Sequence, residues 1–243
     1  MATPEDDKAQ VHTLNSAWSI WEQREQNSRS MAYADKLFKL CTFNTVEEFW
    51  GYWNNIPKPS EVLFDGFVRK KFADRTVESF AVFKDGIAPE WEDPENKRGG
   101  EWSVRKGSVR GLVVSPDSAR WLSLYVYVYV WWTELNGEDL DEFWDKLVLG
   151  AIGEVIDPGN EVTGVRVIHK VESRMRCVVL GRRAELCNKR DKKDPGNNYR
   201  YEIWLRGTDR TKADDIRNRI LESINADSSR PAWAPNEFVY KKH

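Results

Sequence analysis

Apolar residues recur with two different periods along this chain, and the changes of period mark its elements. Val46, Phe49, Trp50 and Trp53 fall at three- and four-residue steps, the stripe of one helix. Thr45 stands at the capping position, and Glu48 completes the spacing of a capping box. Phe143, Trp144, Leu147 and Ala151 predict a second helix over roughly 140–152. Ile216, Ile220 and Ile224 predict a third over roughly 212–224, with Thr211 as its cap. Alternating stretches lie between these helices. Residues 78–83 alternate before the turn Lys84-Asp85-Gly86, and 122–132, 165–171 and 199–205 are likewise β-prone. Strands mixed with three separated helices predict an α+β fold, an antiparallel sheet with helices packed on one face. Residues 1–14 are expected to be a flexible lead-in and 15–243 one domain. Turn-rich stretches near 102–119 and 181–198 have the composition of insertions.

The length of 243 residues suits a single domain. With 37 basic and 39 acidic residues, bulk charge does not point to nucleic acid, so any phosphate site must be a local cluster. Cys41, Cys177 and Cys187 are odd in number and lack CxxC spacing. That argues against a disulfide framework or a zinc site and fits a reducing compartment. The longest apolar run, 125–132, is too short to span a bilayer, and residues 1–15 have no signal-peptide character. A soluble, cytoplasmic protein is expected. Tryptophan changes the picture: there are 12, most of them expected in the core and a few exposed in a binding site.

Residues 86–100 form a loop by composition, with Trp91 set among Glu90, Glu92 and Asp93 and followed by Lys97 and Arg98. Burying Trp91 would bury a neighbouring carboxylate as well. Exposed, the pair Trp91–Glu92 has a defined chemistry. A guanine methylated at N7 is cationic, and its face stacks on an electron-rich ring with a cation–π gain of about 0.5–2 kcal/mol. A carboxylate in the plane of the base accepts from N1–H and N2–H₂ together.

The run Phe83-Lys84-Asp85-Gly86-Ile87-x-Pro89-x-Trp91-Glu92-Asp93, continuing to Asn96-Lys97-Arg98-Gly99-Gly100, resembles the signature of the translation initiation factor 4E family. Trp18-x-x-Trp21, Thr45 to Trp50, Asp141 to Trp144 and Ile152-Gly153-Glu154 agree in the same order, over roughly residues 12–224. The resemblance implies a curved sheet of about eight strands backed by three helices, a cupped hand that binds the 7-methylguanosine cap of messenger RNA. It implies Trp91 as one stacking partner, Glu92 as the reader of guanine, and Trp204 against the N7 methyl group. The second stacking position holds Tyr33, a weaker π-donor than the family's tryptophan. Lys170 falls at the family's phosphate-binding arginine. The accompanying lysine position is filled by Arg200 or, in another register, by Arg174 or Arg176. A further family arginine is replaced by Glu101, or restored by Arg120. Trp233 is a further candidate for the slot.

The resemblance also implies a partner surface on the convex face. His12, Val46, Trp50 and Leu149 would receive a helical motif of a scaffold 4G-like protein or a repressor. Asp145-Lys146 departs from the family there, and Lys146 would repel an arginine in the partner. No cofactor or metal is implied. The sequence lacks GxSxG, GxxxxGK[ST] and HExxH, which removes the motif-bearing enzyme classes. An aromatic-lined carbohydrate-binding module and a general single-stranded RNA binder remain as alternatives.

Overall fold

A computed structural model describes residues 11–25, 32–63, 70–108, 112–113, 129–130, 137–172, 196–226 and 233–243. Seven strands form one antiparallel sheet in the order β2-β1-β3-β7-β8-β4-β9. They are β1 (Thr13–Glu25), β2 (Leu37–Thr45), β3 (Thr76–Lys84), β4 (Gly100–Ser108), β7 (Val162–Glu172), β8 (Gly196–Leu205) and β9 (Phe238–Lys242). A separate pair, β5 (Leu112–Val113) and β6 (Tyr129–Val130), is all that is described of the β-prone stretch 122–132 and its surroundings. The sheet thus has seven strands where about eight were expected.

Four helices accompany it: α1 (Val46–Trp53), α2 (Pro59–Val62), α3 (Gly137–Ile152) and α4 (Arg210–Asn225). The short α2 carries no periodic signal, and Pro59 at its start fixes the first turn instead. The capping box of α1 is shifted by one residue. Thr45 Oγ1 accepts from Glu48 N–H at 3.1 Å, and the Glu48 carboxylate accepts from Asn44 N–H at 3.0 Å rather than from Thr45. The cap of α4 is Asp209, not Thr211: the carboxylate accepts from Thr211 N–H at 3.0 Å. An ionised oxygen also suits the positive end of the helix dipole better than a hydroxyl does.

The core lies between the sheet and the helices. The expected stripe of α3 is all inside: Phe143, Trp144, Leu147 and Ala151 are buried. They meet Tyr201 and Ile203 of β8 and Val165 and Val167 of β7 in one cluster. Several of the sequence expectations are corrected here. Residues 102–108 are not insertion but β4, and Trp102 is fully buried, its indole N–H donating to Ala213 O at 2.7 Å. Trp233 packs against Phe143 with ring centroids 4.2 Å apart, on the helical side, and does not join the slot. Of the second insertion-like stretch, 196–198 belong to β8 and 181–195 lie outside the described residues. Thr13 and Leu14 of the expected lead-in are already part of β1.

Alternation in the strands sends one set of side chains to this core and the other to the concave face. In β8, Tyr201, Ile203 and Leu205 join the core, which leaves Arg200, Glu202 and Trp204 for the opposite side. In β7 the same rule leaves Arg166 and Ile168. The concave face is therefore where the sheet carries its unusual polar chemistry.

Candidate cap-binding slot

A cavity of about 740 Å³ opens on that face, lined among others by Tyr33, Trp91, Glu92, Arg200 and Trp204. Five side chains named from separate parts of the sequence thus meet in one place. Its floor comes from Gln23 and Glu25 of β1, Glu78 of β3, Arg166, Ile168 and His169 of β7, and Glu202 of β8. Lys241 completes the wall from the end of β9.

The loop that carries Trp91 is fixed by its own residues. Gly86 takes φ +85°, a left-handed turn that only glycine adopts freely. Asn96 is fully buried beneath the loop. Its amide donates to Ala88 O at 2.9 Å and Glu90 O at 3.0 Å, and its oxygen accepts from the Thr163 hydroxyl at 2.8 Å. Asp93 accepts from Ala88 N–H and Glu95 N–H, each at 2.9 Å. A Cβ on Gly99 would stand 1.8 Å from Leu205 O, so the loop's return to the sheet requires glycine there. These bonds hold the backbone while the indole needs no burial, and Trp91 is 48% exposed. Lys241 Nζ stands 4.2 Å from its ring centroid.

Trp204 is buried, and its ring edge meets Phe83 in a small cluster with Ala81, Ile87 and Trp21 beneath the slot. Its N–H donates to Glu202 Oε2 at 3.0 Å. Tyr33 is 37% exposed and sits at the mouth, with the Arg166 guanidinium 5.8 Å from its ring centroid. Burial raises the Tyr33 phenol above its ordinary value, against the opposing charge of Arg166, so the ring stays neutral.

The cations expected for phosphates are less free than the sequence implied. Arg200 donates to the Glu202 carboxylate and lies 3.3 Å from Glu101 Oε1. Arg166 donates to Ser79 Oγ at 3.1 Å and to Gln23, and is itself buried. Glu101 is buried beside Arg200. Burial pushes its carboxyl upward, but the His243 imidazole and the charges of Arg200 and Lys241 outweigh this and hold it below the usual range. Glu90 is raised, by burial first and then by the neighbouring charges of Glu92 and Asp93. Lys170 lies on β7 across from Asn198. Arg120, Arg174 and Arg176 lie outside the described residues.

Sequence reasoning missed Arg166, Glu202, His169 and Lys241. The alternation of β7 and β8 was visible, yet both of their faces carry buried side chains, so nothing in the strings said which face lined a cavity. Strand β9 was missed because Phe238-Val239-Tyr240-Lys241-Lys242 is short and ends in charge.

The model of the eukaryotic initiation factor 4E family matches residues 13–243. The chain belongs to that family. Among similar proteins is eukaryotic translation initiation factor 4E of Candida glabrata, 26% identical over 96% of this chain and 81% of its own length. Another is translation initiation factor 4E-2 of Schizosaccharomyces pombe, 31% identical over 64% of this chain; the match spans 48% of that protein. Among solved structures, the fold is similar to C. elegans eIF4E-3 in complex with the 4E-binding protein Mextli, with a TM-score of 0.55, 21% identity, and 96% and 94% of the two chains covered. It is also similar to Ascaris suum eIF4E-3 in complex with the m7G cap, with a TM-score of 0.52, 23% identity, and 96% and 92% covered. These likenesses confirm the expected cupped architecture of the family. Among the described residues no group of metal-ligating side chains is present, and no helix is long and apolar enough to cross a membrane.

Proposed function

We propose that this chain binds the 7-methylguanosine cap of messenger RNA in the concave slot, as a binding protein of translation initiation or its regulation. The observation that carries the reading is the half-exposed indole of Trp91 beside Glu92, at the rim of a cavity that Trp204 also lines. Among the described residues, Glu92 has no hydrogen-bond or ion-pair partner, so its carboxylate is available to two guanine N–H donors. The lining holds the carboxylates of Glu25, Glu78, Glu90, Glu92 and Glu202 against the cations of Arg166, Arg200 and Lys241. That excess of negative charge favours a cationic base over a neutral one. The similarity to a protein solved with the m7G cap supports the same assignment.

The base would lie between Trp91 and Tyr33, with Trp204 at its methylated edge. Arg200 and Lys241 of the lining would face the phosphates, with Lys170 on the neighbouring strand; the alternatives Arg174 and Arg176 lie outside the described residues. Arg200 reaches a phosphate only by sharing its charge with Glu101 and Glu202, so the triphosphate contributes less here than the base does. The experiment is retention on 7-methylguanosine resin. The full chain should be eluted by the methylated nucleotide and not by the unmethylated one; equal elution by both would refute the assignment. Neutral oligosaccharide and uncapped RNA should not elute it, which separates the carbohydrate and general RNA readings.

The convex face supports a second contact, with a partner helix of the kind a 4G-like scaffold or repressor supplies. Trp50 is 42% and Leu149 39% exposed, while Val46 is half-buried and His12 is exposed beside Glu47. An indole left outside on a helix that buries Phe49 and Trp53, with Tyr52 likewise exposed, suits docking of a helix in a groove. Lys146 pairs with Glu142 one turn earlier at 2.9 Å, and Asp145 accepts from Lys58 and the Trp53 indole. Neither residue offers a free acid to an arginine of the partner, so a partner motif with an uncharged residue at that point fits better.

A further inference from the structure

The residue after β9 reaches behind the slot. Phe238 and Tyr240 turn to the core side, against Trp102. Alternation then sends Lys241 and His243 to the concave side. Lys241 lines the cavity, but His243 does not, and its side chain is 1% exposed. It lies in the wall between the Trp91 loop and the floor. Its ring runs nearly parallel to Trp91, at 25° with centroids 6.3 Å apart. The same ring meets Trp204 at 4.7 Å and 57°. Both indoles assigned to the base therefore lean on one imidazole.

Two hydrogen bonds anchor that residue, one from the ring and one from its backbone. Nδ1 is 2.8 Å from Asn96 O, and since a carbonyl only accepts, Nδ1 is the donor. Nε2 then faces Glu101 Oε2 at 3.8 Å. The backbone N–H of His243 donates to Gly99 O at 3.2 Å. Asn96 is the same residue that holds Ala88 O and Glu90 O, so His243 connects the loop, β8 and β4 at the single point from which Trp91 projects.

We propose that His243 is a positioning residue for base recognition: it sets the angle of the Trp91 indole relative to Trp204 and so controls how strongly the slot prefers a methylated, cationic purine. A filler residue would add stability alone, whereas a buttress of the stacking ring changes selectivity. The inference rests on the cap reading, and the test separates the two. The full chain and the variants H243A and H243F are titrated calorimetrically with 7-methyl-GTP and with GTP, and melting temperatures are recorded. Wild type should prefer the methylated ligand. H243A should lose about tenfold of that preference, because a stacking angle left free forfeits the aligned contact. H243F, which keeps a ring against both indoles, should retain the preference within about threefold. A folded H243A with the wild-type ratio would overturn the proposal, as would an H243F whose ratio falls as far as that of H243A. If H243A does not fold, H243F carries the test alone, with the same threshold. Wild type without any preference would instead defeat the cap reading, and this inference with it.

Discussion

Replacing Trp91 by leucine isolates the stacking contribution from the fold. The indole is 48% exposed and its loop is held by the bonds of Asn96 and Asp93, none of which involves the ring. The described contacts given up are those with His243 and Lys241. At a half-exposed site these amount to about 1 kcal/mol of stability or less. Binding should lose far more. Base–aromatic stacking contributes about 1–3 kcal/mol and the cationic charge of the base about 0.5–2 kcal/mol more. Leucine keeps part of the apolar contact, so a net loss of about 2–4 kcal/mol follows, about 30- to 1000-fold in Kd. Only the charge-dependent part distinguishes methylated from unmethylated nucleotide. The preference itself should therefore shrink by about 2- to 30-fold. Calorimetric titration of both nucleotides measures the two losses separately. An unchanged melting temperature with affinity within about threefold of wild type would refute the placement of the base on Trp91.

Three further outcomes are expected. Glu92→Gln leaves one acceptor oxygen where two donors need pairing and removes the charge; methylated-cap affinity should fall about 10- to 100-fold, read by the same titration. Glu101→Gln tests the buried acid beside Arg200 and His243. Its carboxyl lies below the usual range in the folded protein, so its stabilisation is present above the ordinary carboxylate pKa and is lost as pH falls through the lowered value. The stability gap between wild type and variant, about 1–3 kcal/mol at neutral pH, should close only below the usual carboxylate range; a gap constant down to that acidity would contradict the assignment. Trp50→Ala combined with Leu149→Ala should weaken a Tyr-x-x-x-x-Leu peptide by at least about tenfold while leaving cap affinity within about twofold, because the two faces share no side chain. Loss of both together would show that the convex patch is structural.

How much of this was readable in advance depended on the kind of signal. The helices were legible because their apolar faces are continuous: Phe143, Trp144, Leu147 and Ala151 meet the core as spaced. The Trp91 loop was legible because an aromatic among carboxylates has no comfortable buried state. Trp204 and Arg200 followed from the resemblance, and alternation placed them on one face. The floor was not legible. Arg166 and Glu202 are buried charges: the partners of Arg166, Gln23 and Ser79, come from two other strands, Arg200 shares the strand of Glu202, and only the sheet order brings them together. Trp233 was misplaced because its neighbours Phe143 and Phe238 come from distant elements on the helical side. Asp209 was overlooked as a cap because Thr211, two residues on, has equal propensity; the backbone there decides, with Asp209 extended at φ −64°, ψ 110°.

The central claim is that the indole of Trp91 and the acid of Glu92 distinguish a cationic purine from a neutral one. Its most direct test is the Kd of the wild-type chain for 7-methyl-GTP against that for GTP in the same buffer. The methylated ligand should bind at least about tenfold more tightly. Equal affinity for the two, in a folded protein, would contradict the account.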